Sequence, residues 1–146
     1  MINHVWSVLC EQVLVNPNTR DISYINTLNN IPIHDISKDS KELKITPFTI
    51  SSTWHKTGDK DEKLSIQITI KSESEGEITV AEHEAELPAT GSFATLSIDV
   101  ADMNVNDEGL FYIMIEYKYG AQRKYRPAAS IPFYISIAKK HTDKES

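Results

Sequence analysis

In residues 109–117, large apolar side chains occupy every second position, directly after two acidic residues and a glycine that suit a turn. Because strand side chains alternate between the two faces of a sheet, these apolar residues would share one face. They are Phe111, Ile113, Ile115 and Tyr117. The same two-residue period recurs along the chain, and no segment sustains the longer period of a helix. This pattern predicts an all-β fold.

Four other segments repeat the alternation and are predicted to be strands with one buried face. They are residues 48–54, 64–70, 94–100 and 131–137. Turn-forming residues separate them, and the whole chain divides into seven to nine short strands. Such a succession predicts a two-sheet antiparallel β-sandwich of immunoglobulin-like or related topology.

The first predicted strand deviates from strict alternation. Trp6, Val8 and Cys10 alternate on one face, and the valines that follow have the opposite parity. A bulge near Glu11 and Gln12 would return those valines to the core side, because one extra residue resets the alternation. The alternative is a strand that is half-buried on both faces.

The length of the chain predicts one domain. A chain of 146 residues buries enough surface for a single core without disulfides or metals. We assign residues 1–138 to the sandwich and expect the polar residues 139–146 to form a disordered tail. Residues 29–43 are the longest stretch without alternation, and we predict a loop that is either functional or only mobile.

The single cysteine and the lack of a targeting pattern indicate a cytoplasmic protein. Cys10 has no second cysteine with which to form an intrachain disulfide, which fits a reducing compartment. The first residues lack the basic region of a secretory signal. No run approaches the ~18 apolar residues that a membrane helix needs. The formal net charge of −6 disfavours general binding to nucleic acid, whose phosphates it repels.

The sequence favours a non-catalytic protein without a cofactor. Cys10 would act as a nucleophile only beside a base, and its position in an apolar strand favours simple burial. No serine, histidine and acid occur in a nucleophile-elbow context, and no glycine-rich phosphate loop is present. An enzyme of unrecognised type stays open as an alternative, with Cys10 or His83 beside a perturbed carboxylate.

A metal site is not predicted either. The five histidines are scattered without zinc-ligand spacing. Asp59 and Asp61 resemble part of a calcium loop, but interleaved lysines work against the six to eight oxygens that calcium requires. A ligand-binding sandwich that takes calcium or carbohydrate through Asp59, Asp61 and Trp54 is therefore an alternative only.

Two charge clusters are the candidate site. Alternate positions in one predicted strand carry Glu82, Glu84 and Glu86, spaced roughly 6.5–7 Å apart by strand geometry. A basic and aromatic hairpin follows later in the chain. Its candidate contact residues are Lys118, Tyr119, Arg123, Lys124, Tyr125 and Arg126.

These clusters have two interpretations. In the first, they pair within one molecule as cross-strand ion pairs worth about 0.2–1 kcal/mol each. In the second, the hairpin binds an acidic partner protein, or the glutamate strand of another copy, because tyrosine and arginine are suited to protein contacts. We predict a non-catalytic protein-interaction or assembly module whose partner is another protein or itself.

Two resemblances accompany this interpretation. Asp107, Gly109, Phe111 and Ile113 resemble the Asp-x-Gly-x-Tyr-x-Cys segment of immunoglobulin domains, with the tyrosine and cysteine replaced. The likeness implies only a tight turn that leads into a central strand.

A broader likeness covers most of the chain. Residues 8–11, 18–26, 109–111, 120 and 131–133 resemble a family of uncharacterised bacterial β-sandwich proteins. This resemblance implies an intracellular bacterial protein whose gene lies beside those of other proteins, in an operon or a phage-related locus. It implies no chemistry.

Overall fold

A computed structural model describes residues 1–36, 43–73, 76–89, 93–101 and 103–136. The described residues form eleven β-strands and their connecting turns. The strands are β1 (Ile2–Val15), β2 (Ile22–Thr27), β3 (Asn30–Ile36), β4 (Leu43–Ile45), β5 (Phe48–Lys56), β6 (Glu62–Ser72), β7 (Gly76–Leu87), β8 (Phe93–Val100), β9 (Asn104–Val105), β10 (Gly109–Tyr119) and β11 (Arg126–Ser136).

The strands form two sheets. One has four strands in the order β2-β1-β5-β8, and the other has seven in the order β7-β6-β10-β11-β3-β4-β9. Phe48 of the first sheet packs on Phe133 of the second with ring centroids 6.2 Å apart, and Trp54 packs on Tyr117 at 5.0 Å. The prediction of an all-β, sandwich-like fold is confirmed.

The predicted alternation places the core residues correctly. Leu64, Ile66 and Ile113 have no exposed surface, and Ile68 and Ile135 each expose 1%. Residues 94–100 and 131–135 also direct their alternate apolar side chains to this cluster, while Ile137 lies outside the described residues. One buried face on each central strand therefore supplies the contact between the sheets.

One pairing departs from the predicted antiparallel arrangement. β3 runs parallel to β11, with Ile31 opposite Ile135 and Pro32 opposite Ser136. The prediction of a loop over residues 29–43 is thus wrong for Asn30–Ile36, which is a strand, and for Leu43, which begins β4, while residues 37–42 lie outside the described residues. Ile31, Ile33 and Ile45 are buried. Their burial outweighs the loss of one backbone hydrogen bond at Pro32, which has no N–H to donate. The predicted tail also lies outside the described residues.

The bulge in β1 lies earlier than predicted. The pairing of β1 with β5 shifts between His4 and Trp6, not near Glu11 and Gln12. The extra residue exchanges the faces to which all later side chains of β1 point, so Leu9 points into the core opposite Ile50. Trp6 consequently lies on the outer face with 50% of its surface exposed. The core-facing position predicted for Trp6 is wrong for this reason.

Two glycines allow the turns on either side of β10. Gly109 at its start has φ of 140° and Gly120 after its end has φ of 59°, which L-residues with a Cβ atom rarely adopt. After the second turn the chain returns antiparallel as β11, with Phe111 opposite Phe133. Among the described residues, no helix has the length and apolar content needed to cross a bilayer.

Candidate functional site

The outer surface of β7, β6 and β10 brings the two predicted charge clusters onto one molecule. β6 lies between the other two strands, and Ser65 is opposite Glu84 of β7 on one side and Lys118 of β10 on the other. Cross-strand neighbours project from the same face of a sheet. We call this surface the charged face; its members are Glu82, Glu84, Glu86, Lys63, Ser65, Gln67, Glu116, Lys118 and Tyr125.

Tyr125 links the two clusters. The Nζ atom of Lys118 lies 4.7 Å from the centroid of the Tyr125 ring, a cation–π distance. Partial burial raises the pKa of the Tyr125 hydroxyl, and the carboxylates of Glu82, Glu84 and Glu116 raise it further. Carboxylates exert this effect because they repel the phenolate. The Tyr125 ring therefore lies beside Lys118, and its hydroxyl is influenced by the carboxylates of the acidic strand.

The acidic strand obtains one cation from β6. Nζ of Lys63 lies 3.1 Å from Oε1 of Glu84, and both side chains are more than half exposed. Such an exposed pair contributes about 0–1 kcal/mol. Within the described part of the chain, no ion pair joins the three glutamates to the basic residues of the hairpin.

The hairpin residues divide between the two sides of the sheet. Tyr119 is half-buried and packs on the core cluster, stacked on Tyr117 with centroids 6.3 Å apart. The guanidinium carbon of Arg126 lies 6.0 Å from the Tyr119 ring centroid, and Arg126 pairs with the inward-facing Tyr117. Lys118 and Tyr125 thus belong to the charged face, whereas Tyr119 and Arg126 lie on the inner side.

Arg123 and Lys124 lie in the connection between β10 and β11, and both are exposed. This connection begins beside β6, because the Gly120 amide donates a hydrogen bond to the Lys63 carbonyl at 3.0 Å. The Gln122 amide donates to the Tyr119 carbonyl at 3.1 Å, which closes the predicted turn. The two cations therefore lie at the end of the charged face nearest Glu86, which is opposite Lys63 in the register of β6 and β7.

Cys10 has no exposed surface, and burial raises the pKa of its thiol. It lies opposite Thr49, whose hydroxyl donates to Asp99 at 2.7 Å. A raised thiol pKa disfavours the thiolate, the nucleophilic form. The geometry is that of a structural cysteine.

The residues considered for a ligand site do not converge. Trp54 has no exposed surface, and its Nε1 donates to the Ser52 hydroxyl at 2.8 Å, so it offers no ring face to a sugar. Asp61 accepts a hydrogen bond from the Ala89 amide at 2.7 Å. Within the described ranges, no group of three or more histidine, cysteine or acidic side chains is placed to hold a metal ion.

An apolar surface beside the charged face was not predicted. Leu110 and Tyr134 lie opposite each other on β10 and β11, with 39% and 58% of their surfaces exposed. Tyr112 and Met114 line an adjacent shallow cavity of about 450 Å³ together with Lys71. The sequence could have predicted this surface. Leu110, Tyr112 and Met114 alternate with the core residues of β10, so they must project from the outer face of the sheet.

The architecture is that of an all-β, sandwich-like domain. No protein-family model matches the chain, and no curated protein matches it.

Solved structures with some likeness include β-glucosidases. A β-glucosidase from intestinal bacteria involved in saponin metabolism has 12% identity and a TM-score of 0.47, over 86% of this chain and 20% of that one. The Listeria innocua β-glucosidase in complex with glucose has 12% identity and a TM-score of 0.45, over 89% and 16%. β-Glucosidase 3B from Thermotoga neapolitana has 16% identity and a TM-score of 0.41, over 76% and 16%. This chain spans a fifth or less of those proteins, and the likeness assigns it no activity.

Proposed function

We propose that this chain is a non-catalytic protein-interaction module that binds a protein partner through the charged face. The observation that carries the proposal is the contact of Lys118 with the Tyr125 ring, on a strand that only β6 separates from the exposed glutamates of β7. The tyrosine is only partly buried and is held by its neighbours, so a partner gains a contact surface with little ordering cost.

The charges around Tyr125 support a polar contact. Glu82, Glu84 and Glu86 are exposed on β7, and Arg123 and Lys124 are exposed in the connection after β10. Arginine forms bidentate hydrogen bonds with carboxylates, and rows of charge increase the rate of association with a complementary surface. The same charges discourage indiscriminate pairing at the edge strand β7.

Charge reversal tests the proposal. Arg123→Glu with Lys124→Glu reverses the two cations at the end of the charged face, whereas Lys44→Glu with Lys60→Glu changes the net charge equally at exposed positions elsewhere. We expect the first variant to lose capture of the partner in pull-downs from a lysate of the source cells, and the control to retain it. Equal capture by wild type and both variants would leave the charged face without a role.

We also propose a cytoplasmic location and an immunoglobulin-related topology. The location is supported by the lone cysteine, which is free and buried. The topology is supported by the turn before β10, where the Glu108 amide donates to Oδ1 of Asp107 at 2.8 Å. β10 then occupies a position between β6 and β11.

A further inference from the structure

We propose that the partner bound by the charged face is a second copy of this chain, related by a two-fold axis parallel to the strands. This inference rests on the proposed function and names its partner. The starting observation is that β7 carries the three exposed glutamates of the charged face, whereas the cations Lys118, Arg123 and Lys124 lie on the other side of β6. Lys63 of β6 and Glu116 of β10 are the exceptions to this separation. Glu84 and Glu86 lie on β7, and Lys118, Arg123 and Lys124 lie on β10 and the connection after it.

Two-fold symmetry converts this arrangement into self-complementarity. An axis parallel to the strands, between β6 and β10, places β7 of one copy over the β10–β11 arm of the other. Glu84 then faces Tyr125 of the second copy, because Glu84 lies opposite Ser65 on one side and Tyr125 lies beside Lys118 on the other. Glu86 faces the connection that carries Arg123 and Lys124. In an isologous interface each of these contacts occurs twice.

The strand order selects this axis over one that runs across the strands. An axis across the strands would lay β7 over β7 of the other copy and set glutamates against glutamates. An axis along the strands instead lays β10 and β11 of one copy over β6 and β7 of the other, so that Tyr112 approaches Lys71 of the other copy. Like charges that face each other across an interface disfavour association.

The available area is sufficient for a specific dimer. β10 has 11 residues, and at about 3.3 Å per residue and 4.8 Å per strand a four-strand face covers roughly 700 Å². A standard interface buries about 600–1,000 Å² on each partner, and the face falls within that range.

Complementary charge variants provide the test. Variant A carries Arg123→Glu with Lys124→Glu, and variant B carries Glu84→Lys with Glu86→Lys. We expect wild type to sediment at twice the monomer mass of 16.5 kDa, and to dissociate as salt rises because the contacts are charged and exposed. Each variant alone should remain monomeric, since both of its symmetric contacts become repulsive. An equimolar mixture should recover the dimer. In the mixed dimer, the glutamates of A meet the native cations of B, and the introduced glutamates of A meet the introduced lysines of B.

Two controls keep the result interpretable. Circular dichroism and thermal melting of each variant establish that it is folded, and Lys44→Glu with Lys60→Glu should sediment like wild type. A mixture of A and B that stays monomeric overturns the inference, as does a wild type that stays monomeric at its highest soluble concentration. If wild type is monomeric but variant A alone loses capture from a lysate, the proposed function survives with a different partner. If capture is also unchanged, both proposals fail.

Discussion

The ammonium group of Lys118 lies over the ring of Tyr125, with 4.7 Å between Nζ and the ring centroid. These residues come from β10 and from the connection that follows it, and Lys118 lies opposite Ser65, which exposes only 4% of its surface. The contact holds the tyrosine in a position where the carboxylates of Glu82 and Glu84 raise its pKa. The electrostatics of this one side chain therefore report on the charged face as a whole.

The first prediction concerns the Tyr125 hydroxyl. Its pKa is raised by burial and by Glu82, Glu84 and Glu116, so Glu82→Gln with Glu84→Gln should lower that pKa toward the ordinary value of about 10. A ¹³C NMR titration of the tyrosine Cζ signals, assigned with Tyr125→Phe, measures it. The control changes Glu73 and Glu77 to glutamine, which alters net charge equally but farther from the ring. An equal shift in both variants would contradict the assignment.

The second prediction concerns pH and His4. Burial lowers the pKa of His4, whose ring packs on Trp54 at 5.0 Å and shares a 2.7 Å hydrogen bond with the Ser7 hydroxyl. The unfolded chain, with a histidine pKa near 6.5, binds this proton more readily than the folded chain. Stability should therefore fall as pH decreases below about 6.5.

Thermal melting at a series of pH values measures this effect. His4→Gln should show a smaller loss of melting temperature between neutral and mildly acidic pH than wild type. The exposed His83 provides the matched control, since His83→Gln should retain the wild-type dependence. Identical pH profiles for wild type and His4→Gln would refute the role of His4.

The third prediction concerns Cys10. Because the thiol is inaccessible and its pKa is raised by burial, it should react with a thiol reagent only after unfolding. Reaction with DTNB should be slow for the native protein and complete in denaturant, where the one cysteine of the chain gives one equivalent. Lys124→Cys in a Cys10→Ser background places the thiol on the surface and should react at once. Rapid reaction of native wild type would show that Cys10 is accessible.

The fourth prediction contrasts the two tryptophans. Trp54 has no exposed surface, whereas Trp6 is 50% exposed. Trp54→Ala should cost about 3–5 kcal/mol of unfolding free energy through the cavity it leaves, and Trp6→Ala should change stability by about 0.5 kcal/mol or less. Urea denaturation followed by circular dichroism measures both. A similar loss in the two variants would contradict the placement of the bulge in β1.

The sequence by itself determined which side chains of most strands are buried. Ile66 and Ile113 point inward because alternation is a property of the extended backbone, and it needs no knowledge of neighbouring strands. The candidate residues Glu84 and Lys118 could be identified in the same way, as charged positions on exposed faces. Their proximity could not, because it depends on β6 lying between β7 and β10.

Only the tertiary structure decided which strands became neighbours and where the alternation was interrupted. The extra residue between His4 and Trp6 reversed the facing of Trp6, and Asn30–Ile36 formed a strand through its parallel pairing with β11 and its antiparallel pairing with β4. The physical reason is that strand pairing depends on contacts distant in sequence, whose combined burial selects one register among many. The repeating pattern specifies the faces of each strand, and long-range packing specifies what each face meets.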